Sequence, residues 1–343
     1  MEQTRVDLHL ARHGAEGLLA RELEALGEPE RERGPGWVLS EASALDGAIR
    51  ADDLCFASSS LLDVTEVKAP SIKQLANGLA EAFTSLLADR RVDTSWPISF
   101  EVVDQAGLAD RGKLVEARWR GLVKRRRARV LRLAQAEPFS SMKRTWGFFV
   151  VLLGLERAFC AVHARAGGQR RMRMDPAAPS RSYLKAEEAF ALWGSRPVIS
   201  ERVVDLGAAP GGWSYAAARG GAKVFAVDNG PLKGAAAEDA SIEHVRANAF
   251  TYQPPSGQPV DWMLCDMIED PDQVLSLLLR WLERGWCRRF VVNIKFGRGD
   301  PLRLLQRVRD EAKGPAAYTR RLIARQLFHD RDELTLIGET RSG

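Results

Sequence analysis

The spacing of apolar positions gives this chain two halves with different rhythms. In the first half, strand-like and helix-like stretches alternate without a fixed period. Val6–Ala11 reads as a strand. Gly14–Leu26 places Leu18, Leu19, Leu23 and Leu26 on one face and predicts a helix. Gly36–Leu39 and Leu61–Lys68 read as strands. A helix is expected over Ser71–Leu87, with a stripe of Leu75, Leu79, Phe83 and Leu86 following Pro70. Ile98–Val103 reads as a strand and Lys113–Leu133 as a basic amphipathic helix with Val115, Trp119, Leu122 and Val130 inward. Phe148–Leu153 and Ala158–Val162 form a hairpin around 154–157. This half therefore reads as one or two small α+β modules.

The second half is regular. After a helix over Tyr183–Trp193, strands are expected at Arg202–Leu206, Lys223–Asp228, Ile242–Val245, Val260–Cys265, Arg289–Ile294, Leu322–Leu327 and Leu334–Glu339. Helices fall at Gly212–Arg219, Asp272–Arg284 and Pro301–Ala312. Such alternation predicts an α/β fold with a mainly parallel sheet, whose ligands bind outside the carboxyl ends of the strands. Between the halves, Ala164–Arg181 is rich in Gly, Arg and Pro, lacks periodicity, and reads as a linker.

Charge sharpens the division. The net charge is only +5, yet twelve Lys and Arg lie between Asp110 and Arg144, opposed by Asp110, Glu116 and Glu137. A second basic group follows at Arg165, Arg170, Arg171, Arg173 and Arg181. Concentrated positive charge suits a polyanion, although a solvated helix face is the ordinary alternative. Trp119 and Trp146 lie among these residues and could stack on bases or fill a core. The longest apolar run, Phe148–Leu155, is far short of the ~20 residues of a membrane-spanning helix. The N-terminus lacks an apolar signal core, so a cytoplasmic protein is expected. Cys55, Cys160, Cys265 and Cys287 form no Cys-x-x-Cys pair, and the five histidines show no ligand spacing, so no metal is expected.

The strand Val203–Leu206 runs into the turn Gly207-Ala-Ala-Pro-Gly-Gly-Trp213, where glycines allow close approach to a ligand and a helix N-terminus offers N–H donors. The glycine spacing departs from Gly-x-Gly-x-x-Gly and disfavours a dinucleotide. A Pro-Gly-Gly turn beside Asp205 suits instead a cofactor with a cationic amino-acid tail and no pyrophosphate. Asp228, ending the second strand, could accept hydrogen bonds from a ribose diol or could cap the loop 229–231.

Asp205-Leu-Gly-Ala-Ala-Pro-Gly-Gly-Trp-Ser214 resembles the cofactor loop of the FtsJ-like (RrmJ-type) 2′-O-methyltransferases. The resemblance narrows with Ser180-Arg-Ser-Tyr-Leu-Lys-Ala-Glu-Glu-Ala189, Val227-Asp-Asn-Gly-Pro231, Cys265-Asp-Met-Ile-Glu269, Asn293-Ile-Lys295 and Arg325-Gln-Leu-Phe-His-Asp-Arg-Asp-Glu333. Together these are similar to the bacterial 23S ribosomal RNA cytidine 2′-O-methyltransferases of the RlmM type, densely from Ser180 onward and more loosely before it. The resemblance implies a Rossmann-like S-adenosylmethionine domain with a mainly parallel seven-stranded sheet over 182–343. It implies an α+β ferredoxin-like and THUMP RNA-binding region over 1–165, joined by a linker over 166–181. Its implied cofactor contacts are Ser182, Ala209, Pro210, Gly211, Gly212, Asp228, Asn248 and Asp266. Asn248 stands where the family has Asp; its carbonyl oxygen can still accept from an adenine amino group, without the charge. Phe296-Gly-Arg298 departs from the family's Leu-Pro.

The resemblance also implies a catalytic tetrad, Lys185, Asp266, Lys295 and Glu333. A ribose hydroxyl is a weak acid and needs a nearby base to become a nucleophile. Lys295 is the expected general base, with its pKa lowered by burial and by Lys185, while Asp266 and Glu333 position the two ammonium groups. A solvent-exposed lysine and carboxylate are the plain alternatives for Lys185 and Glu333. The expected function is methyl transfer from S-adenosylmethionine to a cytidine 2′-hydroxyl of 23S ribosomal RNA. The alternatives are another structured RNA, a messenger-RNA cap, or a non-catalytic ribosome assembly factor; oligomeric state is left open.

Overall fold

The computed structural model of the protein describes residues 5–42, 54–88, 90–135, 141–255 and 258–341. The chain divides into two compact units, 1–168 and 169–343.

The first unit is organised by its apolar run. Within β8 (Thr145–Leu152), Phe148, Val150 and Leu152 enter one core, while Phe149 and Val151 enter another on the opposite face. The neighbouring β9 (Arg157–Ala166) divides likewise, with Ala158 and Cys160 on one side and Phe159 and Ala161 on the other. The strand period of two thus lets a continuous apolar stretch serve both faces. Around this pair lie β1 (Val6–Ala11), β2 (Glu30–Gly34), β3 (Trp37–Glu41), β4 (Ala57–Leu62), β5 (Thr65–Lys68), β6 (Trp96–Val102) and β7 (Ala134–Gln135). The sheet order is β2-β3-β1-β4-β9-β8-β6-β7, with β5 also on β9. The α+β reading holds, and one nine-stranded sheet runs through the unit.

Among the described residues, three helices accompany this sheet: α1 (Glu16–Ala25), α2 (Ile72–Leu87) and α3 (Leu108–Arg132). Ser71 caps α2 by accepting from Gln74 N, which fixes its start after Pro70. Phe83 of α2 meets Trp119 of α3 at 5.3 Å and Phe148 at 4.8 Å between ring centroids. Trp119 is fully buried and is a core residue, so the base-stacking alternative fails for it. Trp146 is half-buried beneath the Arg90 guanidinium, 4.4 Å from the ring centroid. The strand expected over Leu61–Lys68 breaks into two at Asp63, which has φ +55° and donates its N–H to Asp7 Oδ1. His9 is a core histidine, with ring nitrogens 2.8 Å from Ser60 Oγ and 3.0 Å from Ser40 Oγ.

The second unit has a seven-stranded sheet in the order β12-β11-β10-β13-β14-β16-β15. Its strands are β10 (Arg202–Leu206), β11 (Lys223–Val227), β12 (Ile242–Val245), β13 (Val260–Cys265), β14 (Cys287–Lys295), β15 (Thr319–Arg325) and β16 (Glu333–Thr340). The pairings from β12 through β14 are parallel, and β16 runs antiparallel to both its neighbours. The mainly parallel seven-stranded sheet is therefore present. Val203, Val204 and Val291 are fully buried, as strands covered on both faces require. The helices are α4 (Tyr183–Trp193), α5 (Gly212–Ala218), α6 (Ala235–Glu238), α7 (Pro271–Glu283), α8 (Pro301–Arg309) and α9 (Pro315–Tyr318).

The expected linker over 166–181 needs correcting. Ala166 closes β9, and residues 169–181 belong to the second unit. Buried Glu188 of α4 accepts hydrogen bonds from the N–H groups of Arg170, Phe328 and His329, and Tyr183 donates its hydroxyl to Arg173 O. Backbone donors satisfied by buried side chains hold this segment without regular structure, which periodicity cannot register. All four cysteines are buried free thiols. Among the described residues, no helix is long and apolar enough to cross a membrane.

Candidate active site

The carboxyl ends of β10, β11, β13 and β14 open on one crevice, and the sheet order decides which residues reach it. Asp266 directly follows β13, and Lys295 ends the adjacent β14. Glu333 begins the antiparallel β16 and pairs in register with Lys295. Lys185 comes from the first turn of α4. The four side chains close a ring of alternating charge. Lys295 Nζ lies 2.6 Å from Asp266 Oδ1 and 3.1 Å from Glu333 Oε2. Lys185 Nζ lies 3.3 Å from Asp266 Oδ1 and 2.8 Å from Glu333 Oε1. The solvent-exposed alternatives for Lys185 and Glu333 therefore fail. Their side chains keep only 12% and 7% exposure, against 23% for Lys295, which is the member most open to an incoming group.

The electrostatics differ from the expectation at Lys295. Burial lowers its pKa, but the charges and hydrogen bonds of Asp266 and then Glu333 outweigh burial, and the net shift is upward. Glu333 is raised by burial, yet contacts first with Lys185 and then with Lys295 bring it below its ordinary value. A cation between two carboxylates is stabilised more than a neighbouring ammonium destabilises it. Lys295 is thus held as an ammonium in the free protein.

Behind Lys295 stands a polar network absent from the sequence reading. Asn293 Oδ1 accepts from Lys295 Nζ at 3.0 Å. The Asn293 amide donates to Asp330 Oδ1 at 2.9 Å and to Thr335 Oγ1 at 3.0 Å. Asn293, Asp330 and Thr335 are all buried. Burial, followed by the Glu333 charge, pushes the Asp330 carboxyl up to about 8. The signal was available: Asn293 interrupts the apolar run of β14 two residues before Lys295, hence on the same face of the strand.

The glycine turn fits a closely approaching ligand. At Gly207, with φ +75°, a Cβ would stand 2.2 Å from Met267 Cγ. At Gly212 it would stand 2.3 Å from Ser180 Oγ and 2.7 Å from Ser182 Oγ. Only glycine leaves the turn this shape. Ser182 precedes α4, and its carbonyl accepts from the Trp213 indole at 3.0 Å. Asp228 Oδ2 accepts from Ala209 N at 3.0 Å, which fastens the turn 209–212 to the end of β11. Its Oδ1 accepts from Gly230 N at 2.7 Å, so Asp228 does cap its loop while an ionised carboxylate keeps further acceptor sites. Asn248 is exposed, and its Oδ1 already accepts from Phe250 N at 2.8 Å. Asp205 is buried and accepts from the Ser214 hydroxyl at 2.6 Å, and burial pushes it up to about 7. It pins the turn to α5 from inside.

Residues 178–278 match the FtsJ-like methyltransferase family. Ribosomal RNA large subunit methyltransferase M of Xanthomonas oryzae pv. oryzae is 32% identical over 95% of this chain and 96% of its own length. The protein of the same name from Halorhodospira halophila is 40% identical over 52% of this chain and 53% of its own length. The protein of that name from Stenotrophomonas maltophilia is 33% identical over 96% of both chains. Identity of this extent across nearly the full length, over a sheet and a tetrad arranged as described, places the chain in the ribosomal RNA large subunit methyltransferase M family.

Proposed function

We propose that this protein transfers a methyl group from S-adenosylmethionine to the ribose 2′-hydroxyl of a cytidine in 23S ribosomal RNA. The observation that carries the reading is the closed ring of Lys185, Asp266, Lys295 and Glu333 at the edge of the glycine turn. Ser182, Ala209, Pro210, Gly211, Gly212, Asp228, Asn248 and Asp266 would hold the cofactor, which supplies an activated methyl on a cationic sulfur. The cofactor would give its methyl to the ribose oxygen and keep the electrons of its carbon–sulfur bond, and the hydroxyl proton would pass to Lys295 Nζ. Lys295 must first shed its own proton, because the carboxylates keep it charged in the free protein. A second cation in the crevice and exclusion of water by bound RNA both favour that loss. Asp266 and Glu333 then hold the amine in line with the hydroxyl.

In this reading the first unit grips structured RNA through phosphates, as a THUMP-type region would. Arg118, Lys124, Arg125, Arg126 and Arg127 are exposed on α3, and no acidic partner engages them among the described residues. The reaction belongs where ribosomes assemble, in the cytoplasm. Incubation with labelled S-adenosylmethionine and unmodified 23S ribosomal RNA tests the reading. It expects label confined to 2′-O-methylcytidine. RNA bound without label would indicate an assembly factor, and label on another nucleoside would move the substrate.

A further inference from the structure

A cavity of about 910 Å³ adjoins the tetrad on the side away from the glycine turn. It is walled by the loops that follow β13 and β14 and by the first turns of α7 and α8. Lys295 forms part of its wall, whereas none of the residues of the turn 207–213 does, nor Asp228 or Asn248. The sheet order explains the separation. The turn lies over β10 and β11, and the cavity lies over β13 and β14, with Asp266 and Lys295 at the border. A volume of this size lies within the range of small-molecule sites, roughly 300–1,000 Å³.

The charges of the wall are unevenly engaged. Asp270 caps α7, accepting from Asp272 N at 2.9 Å and Gln273 N at 3.3 Å. Asp300 caps α8, accepting from Leu302 N at 3.1 Å. Asp272 is bound by Arg307. Among the described residues, no carboxylate engages Arg298 or Arg303, and Arg298 is exposed. Gly297, at φ +57°, turns the chain immediately before Arg298. The exposed Ile268, with 87% of its surface free, adds an apolar wall residue directly after the loop's Asp266 and Met267. Against the exposed wall carboxylate of Glu269, two unengaged guanidinium groups, an apolar side chain and a catalytic amine together fit one nucleotide unit of a polyanionic chain. Guanidinium forks match phosphate oxygens.

We infer that this cavity seats the RNA nucleotide next to the methylated ribose, with Arg298 and Arg303 on its phosphates. The inference rests on the methyltransferase reading above and adds the path of the RNA through the crevice. The target hydroxyl must stand at Lys295 with the cofactor on one side. The strand carrying it then leaves through the cavity on the other side.

The test compares the intact protein with the double variant Arg298→Ala/Arg303→Ala, using unmodified 23S ribosomal RNA and S-adenosylhomocysteine as probes. Losing two single-strand phosphate contacts should reduce the slope of log K for RNA against log salt by about 1.4. The KM for RNA should rise about tenfold while S-adenosylhomocysteine binds as before, and Arg298→Lys/Arg303→Lys should restore most of the slope. An unchanged slope and KM would overturn the inference. So would an equal loss of S-adenosylhomocysteine affinity in a variant that unfolds at the same urea concentration as the intact protein, which would place the two arginines at the cofactor and not on the RNA path. If the intact protein bound RNA but transferred no methyl, the function would fail, and the slope would still report on the cavity.

Discussion

The first unit gathers aromatic rings between α2, α3 and its sheet, whereas the second gathers buried carboxyl groups beside its crevice. Phe83, Trp96, Trp119 and Phe148 pack against one another between α2, α3 and the sheet, and the arginines of α3 stay outside. In the second unit Glu188, Asp205, Asp330 and Glu333 lie inside, each with hydrogen-bond partners, and two lysines close the ring at the crevice. Burying an apolar ring stabilises without further conditions, but burying a charge costs free energy unless partners are in place. The contrast separates a unit with an aromatic core and an outward basic helix from one whose buried carboxyl groups fasten loops and close the tetrad.

The largest expected effect breaks the first unit alone. Trp119→Ala should cost about 3–5 kcal/mol in urea unfolding. S-adenosylhomocysteine affinity, a property of the other unit, should stay unchanged in the fraction that remains folded. Coupled losses would show that the units do not stand separately.

Next comes the buried network behind Lys295. Asn293→Ala removes the acceptor for Lys295 and a donor to Asp330, and should cost about 1–3 kcal/mol for the groups left unsatisfied. Misplacing the amine should lower kcat about 10²-fold with little change in the KM for RNA. A fall in stability with full kcat would make the network structural only.

The pH dependence separates the units by slope. Asp330 at about 8, and Asp205 and Glu188 at about 7, have pKa values raised by burial above those of the unfolded chain. The folded second unit therefore holds protons that the unfolded chain has released, and its stability declines as pH rises from 6 to 8. In the first unit, burial lowers His9 to about 4 and raises Asp7 to about 6. His9 costs stability as pH falls below its unfolded value, and Asp7 restores stability as it takes up a proton. These opposite signs leave the first unit nearly level from about pH 4 to 6.5. Hydrogen-exchange protection corrected for intrinsic rates should thus fall between pH 6 and 8 in β14 and hold in β8.

The smallest effect concerns the surface. Lys124→Ala/Arg125→Ala/Arg126→Ala should leave both units as stable as before and weaken RNA binding. For duplex contacts the salt slope should drop by up to about 2.7. An unaltered slope would return α3 to the role of a solvated helix.

Buried elements were the most legible in the sequence. The boundaries of β10 and β13 coincide with apolar runs bounded by turn residues, and α2 begins where Pro70 and Ser71 announce it. The charged stretch Glu30–Gly34 gave no apolar signal because β2 is an edge strand with its side chains largely exposed. The helices α6 and α9 are four residues each, too short for periodicity. The tetrad could be named only because the motifs came as a set; no spacing along the chain brings 185, 266, 295 and 333 together. Asn293 and Asp330 lay inside those motifs, but their hydrogen bonds depend on β14 and β16 pairing in register. The sign of the Lys295 shift was illegible too, since it turns on distances of 2.6 and 3.1 Å between side chains from three strands or their loops.

The most direct measurement is the pH profile of single-turnover methyl transfer to unmodified 23S ribosomal RNA by the intact protein and by Lys295→Ala. A base held as an ammonium makes the rate rise with pH. The rising limb of kcat/KM, which reports the free protein, should lie above the ordinary lysine range, and that of kcat should lie lower. Lys295→Ala should lower the rate by about 10²–10⁴-fold and flatten the profile. Transfer by Lys295→Ala at the intact protein's rate, with the same limb, would contradict the assignment of this crevice as the site of proton removal.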